Sequence, residues 1–139
     1  MKKQEPVSHI MSSDVYSIQV GQSPSDARKL MMEHGTHHVP VVDGKQLIGL
    51  ISFTDLMKVT VVVKGADDVT LDALVDQQFT VNDVMSTELV TLNQKDTIRE
   101  AARILSQGQF HSLPVVNDDN DIVGMVTSTD LIRFLSDLY

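Results

Sequence analysis

Residues 37–56 read HHVPVVDGKQLIGLISFTDL, and residues 111–131 read HSLPVVNDDNDIVGMVTSTDL. Each stretch holds two apolar runs separated by a polar turn, and each closes on the pattern Ser/Thr-x-x-Asp. The repetition extends outward, because Ile10-Met11-Ser12 returns as Val84-Met85-Ser86. Two half-size units with one unpaired apolar face each bury those faces best against each other. The duplication therefore predicts two related units in a single chain.

Each copy has the pattern of a strand, a helix, two strands and a final helix. The first strands are short segments rich in β-branched and aromatic residues, at 15–20 and 89–92. The first helices follow the sequences SPSD (residues 23–26) and TIRE (residues 97–100), which have the form of capping boxes. Gly35 and Gly108 are typical of helix ends.

The second and third strands of each copy are predicted to form a hairpin. In the first copy, apolar runs at 39–42 and 47–51 flank Asp43-Gly44, a strong turn signal. In the second copy, residues 117–120 predict a longer turn. The final helices are expected to begin after Ser52 and Thr127.

The segment between the copies resembles neither of them. Residues 64–78 predict a loop followed by a short helix near 71–75, and residues 59–63 are compatible with an extended helix or with a strand. The expected domains are a first repeat over 6–63, a linker over 64–79 and a second repeat over 80–138.

Composition excludes several classes of function. The net charge is −8 with a pI near 4.8, and an acidic surface repels the phosphate backbone, so nucleic acid is not expected as a partner. Without cysteine there is no disulfide frame, thiolate nucleophile or cysteine-bound metal. The N-terminus lacks the apolar core of a signal peptide, and no apolar run is long enough to cross a bilayer. A soluble, cytoplasmic protein is expected.

The two Ser/Thr-x-x-Asp turns, Ser52 with Asp55 and Thr127 with Asp130, are the strongest candidates for binding chemistry. A strand-to-helix junction offers backbone N–H groups and the positive end of the helix dipole, which suit a phosphate. A carboxylate one turn inside can accept two hydrogen bonds from the vicinal hydroxyls of a ribose. The same pattern is also an ordinary capping box, and the repetition at both junctions favours binding.

Taken together, the repeated Pro-Val-Val strand, the Gly-containing strand and the terminal Ser/Thr-x-x-Asp resemble a stand-alone tandem pair of cystathionine-β-synthase (CBS) domains, a Bateman module. The resemblance implies an α/β (α+β) fold of two pseudo-twofold-related β-α-β-β-α repeats packed through their sheets. It also implies an adenosine-containing ligand such as AMP, ADP, ATP or S-adenosylmethionine, no catalytic cofactor, a homodimer and a protein target.

The same resemblance implies two composite sites, each with residues from both copies. Asp55 and Asp130 would hold the ribose of the ligand. Hydroxyl and imidazole side chains would form the phosphate side: Ser52, Thr127, His37, His38, His111 and Ser112. Backbone and apolar groups would form the base side: Tyr16, Ser17, Val90, Thr91, Thr36, Phe110, Leu50 and Met125. In this arrangement Asp55 faces residues 110–112, and Asp130 faces residues 36–38.

The phosphate side departs from the family pattern. Many relatives place arginine just before the Leu-Pro-Val run, where this chain has His38 and Ser112. A weaker, pH-dependent cation disfavours tight triphosphate binding and makes AMP or a sulfonium ligand at least as suitable. Lys58 and Arg133 either reach a phosphate, pair with the aspartate three residues earlier, or remain solvated surface charges.

Three functions follow, in order of preference. The first is a regulatory module that binds an adenosine ligand and signals to a partner. The second is an assembly protein with vestigial clefts. The third, an enzyme, is disfavoured because the motifs supply no paired nucleophile and base, and no metal site is expected because Gly35 breaks the helix between His34 and His37.

Overall fold

The computed structural model describes residues 4–62 and 68–139. By their contacts the residues form two compact units. The first unit is Tyr16–Leu89, and the second unit combines Met1–Val15 with Val90–Tyr139.

Each unit contains one three-stranded sheet and the helices that follow its strands. The chain begins with a 3-10 turn at Val7–His9, which belongs to the second unit. The first unit comprises β1 (Ile18–Gln19), α1 (Pro24–His34), β2 (His38–Asp43), β3 (Gln46–Ser52), α2 (Phe53–Val62), α3 (Asp68–Gln78) and α4 (Val81–Val84). The second unit comprises β4 (Leu92–Asn93), α5 (Ile98–Leu105), β5 (Ser112–Val116), β6 (Ile122–Thr127) and α6 (Ser128–Asp137). The predicted β-α-β-β-α order is confirmed in both copies.

The two sheets have the same topology. Their orders are β1-β2-β3 and β4-β5-β6, with the first pair parallel and the hairpin pair antiparallel. The hairpin turn of the first unit follows the prediction, since Gly44 adopts a left-handed φ of 66° that most side chains avoid. In the second unit Asn120 takes that conformation, with φ 65°.

Alternating side chains of the central strands form each core. Val39, Val41 and Ile51 are fully buried in the first unit, and Leu113, Val115 and Val126 are fully buried in the second. The first helices pack on these strands by the predicted face: Ala27, Leu30 and Met31, and Ala101, Ile104 and Leu105.

Capping explains where the first helices begin. Ser23 and Asp26 form the predicted capping box, and the Ser23 N–H bond holds the pKa of Asp26 below its ordinary value. At the start of α5 only one of the two hydrogen bonds of the predicted capping box forms. Thr97 accepts from the Glu100 N–H, whereas the Glu100 carboxylate pairs with Arg103 one turn ahead.

Several local expectations are corrected. β1 and β4 have two residues each, shorter than the predicted 15–20 and 89–92. For residues 59–63, where helix and strand were both open, residues 59–62 continue α2 as a helix and residue 63 lies outside the described residues. The helix between the copies is α3, which is longer than the short helix predicted near 71–75, and the predicted loop at 64–67 lies outside the described residues.

The segments just before the first strands of the two copies, residues 6–12 and 80–86, are called the lead-in segments, and each belongs to the compact unit of the other copy. Val7 is fully buried in the core of the second unit, where its N–H donates to Asp96 O at 2.8 Å. Val81, the equivalent residue of the second copy, is fully buried in the core of the first unit. Each core is therefore completed by a valine that precedes the other copy in sequence.

Candidate functional site

The turn at Ser52 and Asp55 joins β3 to α2. The Ser52 N–H donates to Asp55 Oδ2 at 2.9 Å, and the Asp55 N–H donates to Ser52 Oγ at 3.0 Å. These two bonds form a complete capping box, so Ser52 and Asp55 stabilise the start of α2. The capping box uses one carboxylate oxygen and one lone pair of the hydroxyl, which leaves Asp55 Oδ1 as an acceptor and the Ser52 O–H as a donor.

The turn at Thr127 and Asp130 repeats this geometry between β6 and α6. Its two bonds measure 2.9 and 3.0 Å. The difference is Arg133, whose guanidinium lies 3.4 Å from Asp130 Oδ1 in the predicted helical pairing. The Arg133 side chain is 67% exposed, so a ligand can displace it at small cost. The two aspartates thus present their second oxygen in different electrostatic settings.

The histidine-containing segments lie beside the turn of their own copy. His37 O accepts the Phe53 N–H at 2.8 Å, and His38 pairs with Ser52 in the sheet register. In the second unit, His111 O accepts the Ser128 N–H at 3.0 Å, and Ser112 pairs with Thr127. The structure therefore places each phosphate-side set around a single turn. The sharing of residues between the copies stays a prediction.

Phe53 is a contact that the sequence patterns did not reveal. Its ring meets the His37 ring edge-on, with centroids 6.4 Å apart and planes at 78°. Residue 53 follows Ser52 directly, so the aromatic side chain lies next to the candidate site. No motif marked it, because the contact joins residues 16 positions apart.

The base-side residues lie in loops and at sheet edges. Tyr16 and Ser17 precede β1, and the Tyr16 ring stacks on His34 at 3.5 Å with planes 8° apart. Thr36 Oγ1 is buried and makes no hydrogen bond among the described residues. A buried hydroxyl of this kind is a ready donor and acceptor for a ligand or for water.

The remaining base-side residues divide between the two units. Val90 and Thr91 precede β4, and Val90 is exposed. Phe110 packs against the core of the second unit. Leu50 and Met125 lie in β3 and β6, where their backbones pair with the exchanged lead-in segments: Leu50 with Ser86, and Met125 with Ser12.

Two methionines from the lead-in segments pack on the glycines that recur in β3 and β6, a feature that sequence reasoning missed. Met85 covers Gly49 and Met11 covers Gly124 so closely that a Cβ at either glycine would overlap the thioether. The repeated Met-Ser at 11–12 and 85–86, together with the repeated glycine, was the available signal.

The described residues contain neither a cluster of metal-ligating side chains nor a membrane-spanning helix. In residues 4–62 and 68–139, no group of three His, Cys, Asp or Glu side chains is arranged to hold a metal ion. Over the same ranges, no helix combines the length and apolar character that crossing a bilayer requires.

The chain is a duplicated β-α-β-β-α protein. In each unit the last strand of a three-stranded sheet leads through a polar turn into the final helix of the repeat. The family model for the CBS domain matches residues 7–61 and 81–137, and the chain belongs to this family.

Curated relatives include one small protein and larger enzymes. The CBS domain-containing protein YhcV of Bacillus subtilis is 32% identical over 125 residues, covering 90% of this chain and 81% of the relative. An inosine-5'-monophosphate dehydrogenase of Korarchaeum cryptofilum is 30% identical, covering 85% of this chain and 22% of the enzyme. A homoserine O-acetyltransferase of Methanohalobium evestigatum is 28% identical, covering 94% and 24%. The chain thus spans less than a quarter of either enzyme.

Solved structures with the same fold include ligand complexes. CBSX2 in complex with AMP aligns with a TM-score of 0.79 at 24% identity, covering 96% of this chain and 98% of that one. CBSX2 is a CBS-pair protein of Arabidopsis thaliana. The CBS domain pair of MJ0100, in complex with 5'-methylthioadenosine and S-adenosyl-L-methionine, aligns with a TM-score of 0.75 at 25% identity, covering 96% and 98%.

Proposed function

We propose that this protein is a non-catalytic regulatory module that binds an adenosine-containing ligand and signals the bound state to a protein partner. The observation that carries the proposal is the twin turn, in which a capped aspartate keeps one carboxylate oxygen for hydrogen bonding beyond the helix. For Asp55 that oxygen has no partner recorded among the described residues. A ribose diol supplies the two O–H donors that such an acceptor suits.

The groups around the turn suit a modest anionic charge. His37 and His38 adjoin Ser52, and Ser112 adjoins Thr127, while arginine is absent from these positions. Neither imidazole nor hydroxyl offers the planar, bidentate set of donors with which a guanidinium binds a phosphate. We therefore favour AMP or S-adenosylmethionine over ATP. The complexes of CBSX2 with AMP and of the MJ0100 pair with S-adenosyl-L-methionine support this class of ligand.

Calorimetric titration with AMP, ADP, ATP and S-adenosylmethionine tests the function. We expect saturable binding of AMP or S-adenosylmethionine, with ATP no tighter, because the positions just before the two Pro-Val-Val strands carry no arginine for a third phosphate. An absence of saturable heat from every ligand at millimolar concentration would contradict the proposal and favour the assembly function.

We also propose that the protein forms a homodimer through α6. This helix exposes Ile132 and Leu135, three residues apart, at 67% and 53% of their surface. Large apolar side chains on one helix face are typical of interfaces between subunits. Light scattering is expected to give twice the chain mass for the wild type and the chain mass for Ile132→Lys. Asp137→Lys, an exposed change on the opposite face of α6, is the control and is expected to remain dimeric.

A further inference from the structure

Helix α3 is tied to the start of α1 by two aspartates one turn apart. Arg28 donates to Asp72 through Nε at 2.8 Å and through a terminal nitrogen at 2.5 Å, a bidentate pair. The Ser25 N–H donates to Asp76 Oδ1 at 3.0 Å and the Ser25 hydroxyl donates to Asp76 Oδ2 at 2.5 Å. Asp76 therefore caps the N-terminus of α1 from another helix, where negative charge is favoured.

The second copy lacks these anchors. At the positions equivalent to Ser25 and Arg28 it carries Arg99 and Ala102, so the serine hydroxyl and the guanidinium that hold the two aspartates have no counterpart there. The attachment of α3 is therefore a property of the first unit alone. It is not a requirement of the repeated fold, since the second copy builds the same sheet and helices without the two anchors.

The space beneath α3 is incompletely filled. A cavity of about 110 Å³ lies between α1, α2 and α3, bounded mainly by apolar side chains and by the Arg28 pair. Phe53, Leu56, Met57 and Thr60 supply the α2 wall, at the spacing of one helix face. Phe53 and Met57 remain 48% and 46% exposed with α3 in place. On the α3 side Val75 is buried and Leu71 lines the same space, so apolar packing and the two polar anchors together attach the helix.

Phe53 belongs both to this cavity and to the surroundings of the candidate ligand site. One part of its surface lines the space under α3, and its ring meets the ring of His37. It is the first residue of α2, between Ser52 and Asp55. A ligand that orders the Ser52–Asp55 turn and His37 also orders a wall of the groove in which α3 lies.

We infer that α3 is a detachable strap, and that a ligand at the Asp55 turn strengthens its docking through Phe53. This inference rests on the proposed function and names the element that carries its signal. The coupling is positive because a groove already ordered by the ligand loses less conformational entropy when α3 docks. Coupling is reciprocal, so detaching α3 must weaken ligand binding by the same factor that the ligand strengthens docking.

Hydrogen exchange of the full chain with and without saturating AMP tests the coupling. In the wild type, the α3 amides over 71–78 are expected to exchange at least about fivefold more slowly with AMP, the lower end of typical coupling. Arg28→Ala and, separately, Asp72→Asn are expected to speed α3 exchange and to weaken AMP binding by a similar factor. Arg103→Ala is the matched control, because it breaks an exposed arginine ion pair on the equivalent helix of the other unit and leaves both readouts unchanged.

A further variant separates coupling from simple stability. Phe53→Leu keeps an apolar wall for the cavity but removes the aromatic edge at His37. It is expected to bind AMP while losing most of the protection of α3. Failure of the wild type to bind any adenosine ligand overturns the function and the coupling together. AMP binding with unchanged α3 exchange, or undocking variants with unchanged affinity, overturns the coupling alone.

Discussion

Replacing Asp55 by asparagine is expected to remove AMP binding at one of the two turns. The wild-type carboxylate has one oxygen in the capping box and the other available to the ribose hydroxyls. Hydrogen bonds to a charged acceptor contribute about 1.5–3 kcal/mol each, so their loss corresponds to at least a tenfold weaker site. Calorimetry should show one class of sites lost in Asp55→Asn, the other lost in Asp130→Asn, and neither class left in the double variant.

A capping box elsewhere in the same unit provides the matched control. Asp26→Asn removes the equivalent carboxylate at the start of α1, where the Ser23 N–H donates to Asp26 Oδ2 at 3.1 Å. Loss of a cap costs about 1 kcal/mol at either position, so the two variants should unfold at similar denaturant concentrations. Only Asp55→Asn should bind AMP more weakly. If Asp26→Asn weakens binding to the same extent, the effect of Asp55 is on stability and the ribose assignment is wrong.

Gly124→Ala is expected to destabilise the second unit more than Gly49→Ala destabilises the first. A Cβ at Gly124 would lie 2.9 Å from the Ser12 backbone oxygen as well as against Met11. That oxygen accepts the Met125 N–H at 3.0 Å, so relief of the clash costs a hydrogen bond of the exchanged segment. At Gly49 the three nearest atoms all belong to the flexible Met85 side chain, which can move.

Overpacking in a core costs about 1–3 kcal/mol, and we expect Gly124→Ala at the upper end and Gly49→Ala near the lower end. Urea unfolding followed by circular dichroism measures both. Gly21→Ala is the control, because nothing lies within 4 Å of a Cβ at that position, and it should leave the midpoint unchanged. Equal losses from the Gly49 and Gly124 variants would contradict the role assigned to the Ser12 oxygen.

The hairpins and the capped turns were predictable because their signals are local. Asp43-Gly44 between two apolar runs fixes the β2–β3 hairpin, and Ser52-x-x-Asp55 fixes the start of α2, whatever the rest of the chain does. The Arg133 contact with Asp130 followed from helical spacing as one of three alternatives. These features depend on residues a few positions apart.

The features that escaped prediction depend on distant residues. β1 is two residues long because only Ile18 and Gln19 find partners, Val41 and Val42, in β2. The seating of Met11 on Gly124 and the docking of Asp76 on Ser25 join segments that no local pattern connects. The Glu100 carboxylate pairs with Arg103 and not with the Thr97 N–H, because the exposed ion pair competes with the capping box for the same carboxylate. Tertiary contacts decided these cases except that of Glu100, whose partner lies three residues away in the same helix.

The exchanged lead-in segments make the core of each unit depend on residues that precede the other copy. A fragment cut ahead of Thr80 would keep Val7 but lose Val81, the side chain that completes the core around Val39 and Ile51. The complementary fragment would keep Val81 and lack Val7. Neither half carries a whole interior of its own. Because each core depends on a valine that precedes the other copy in sequence, we expect the two repeats to unfold together and a deletion in either repeat to destabilise both.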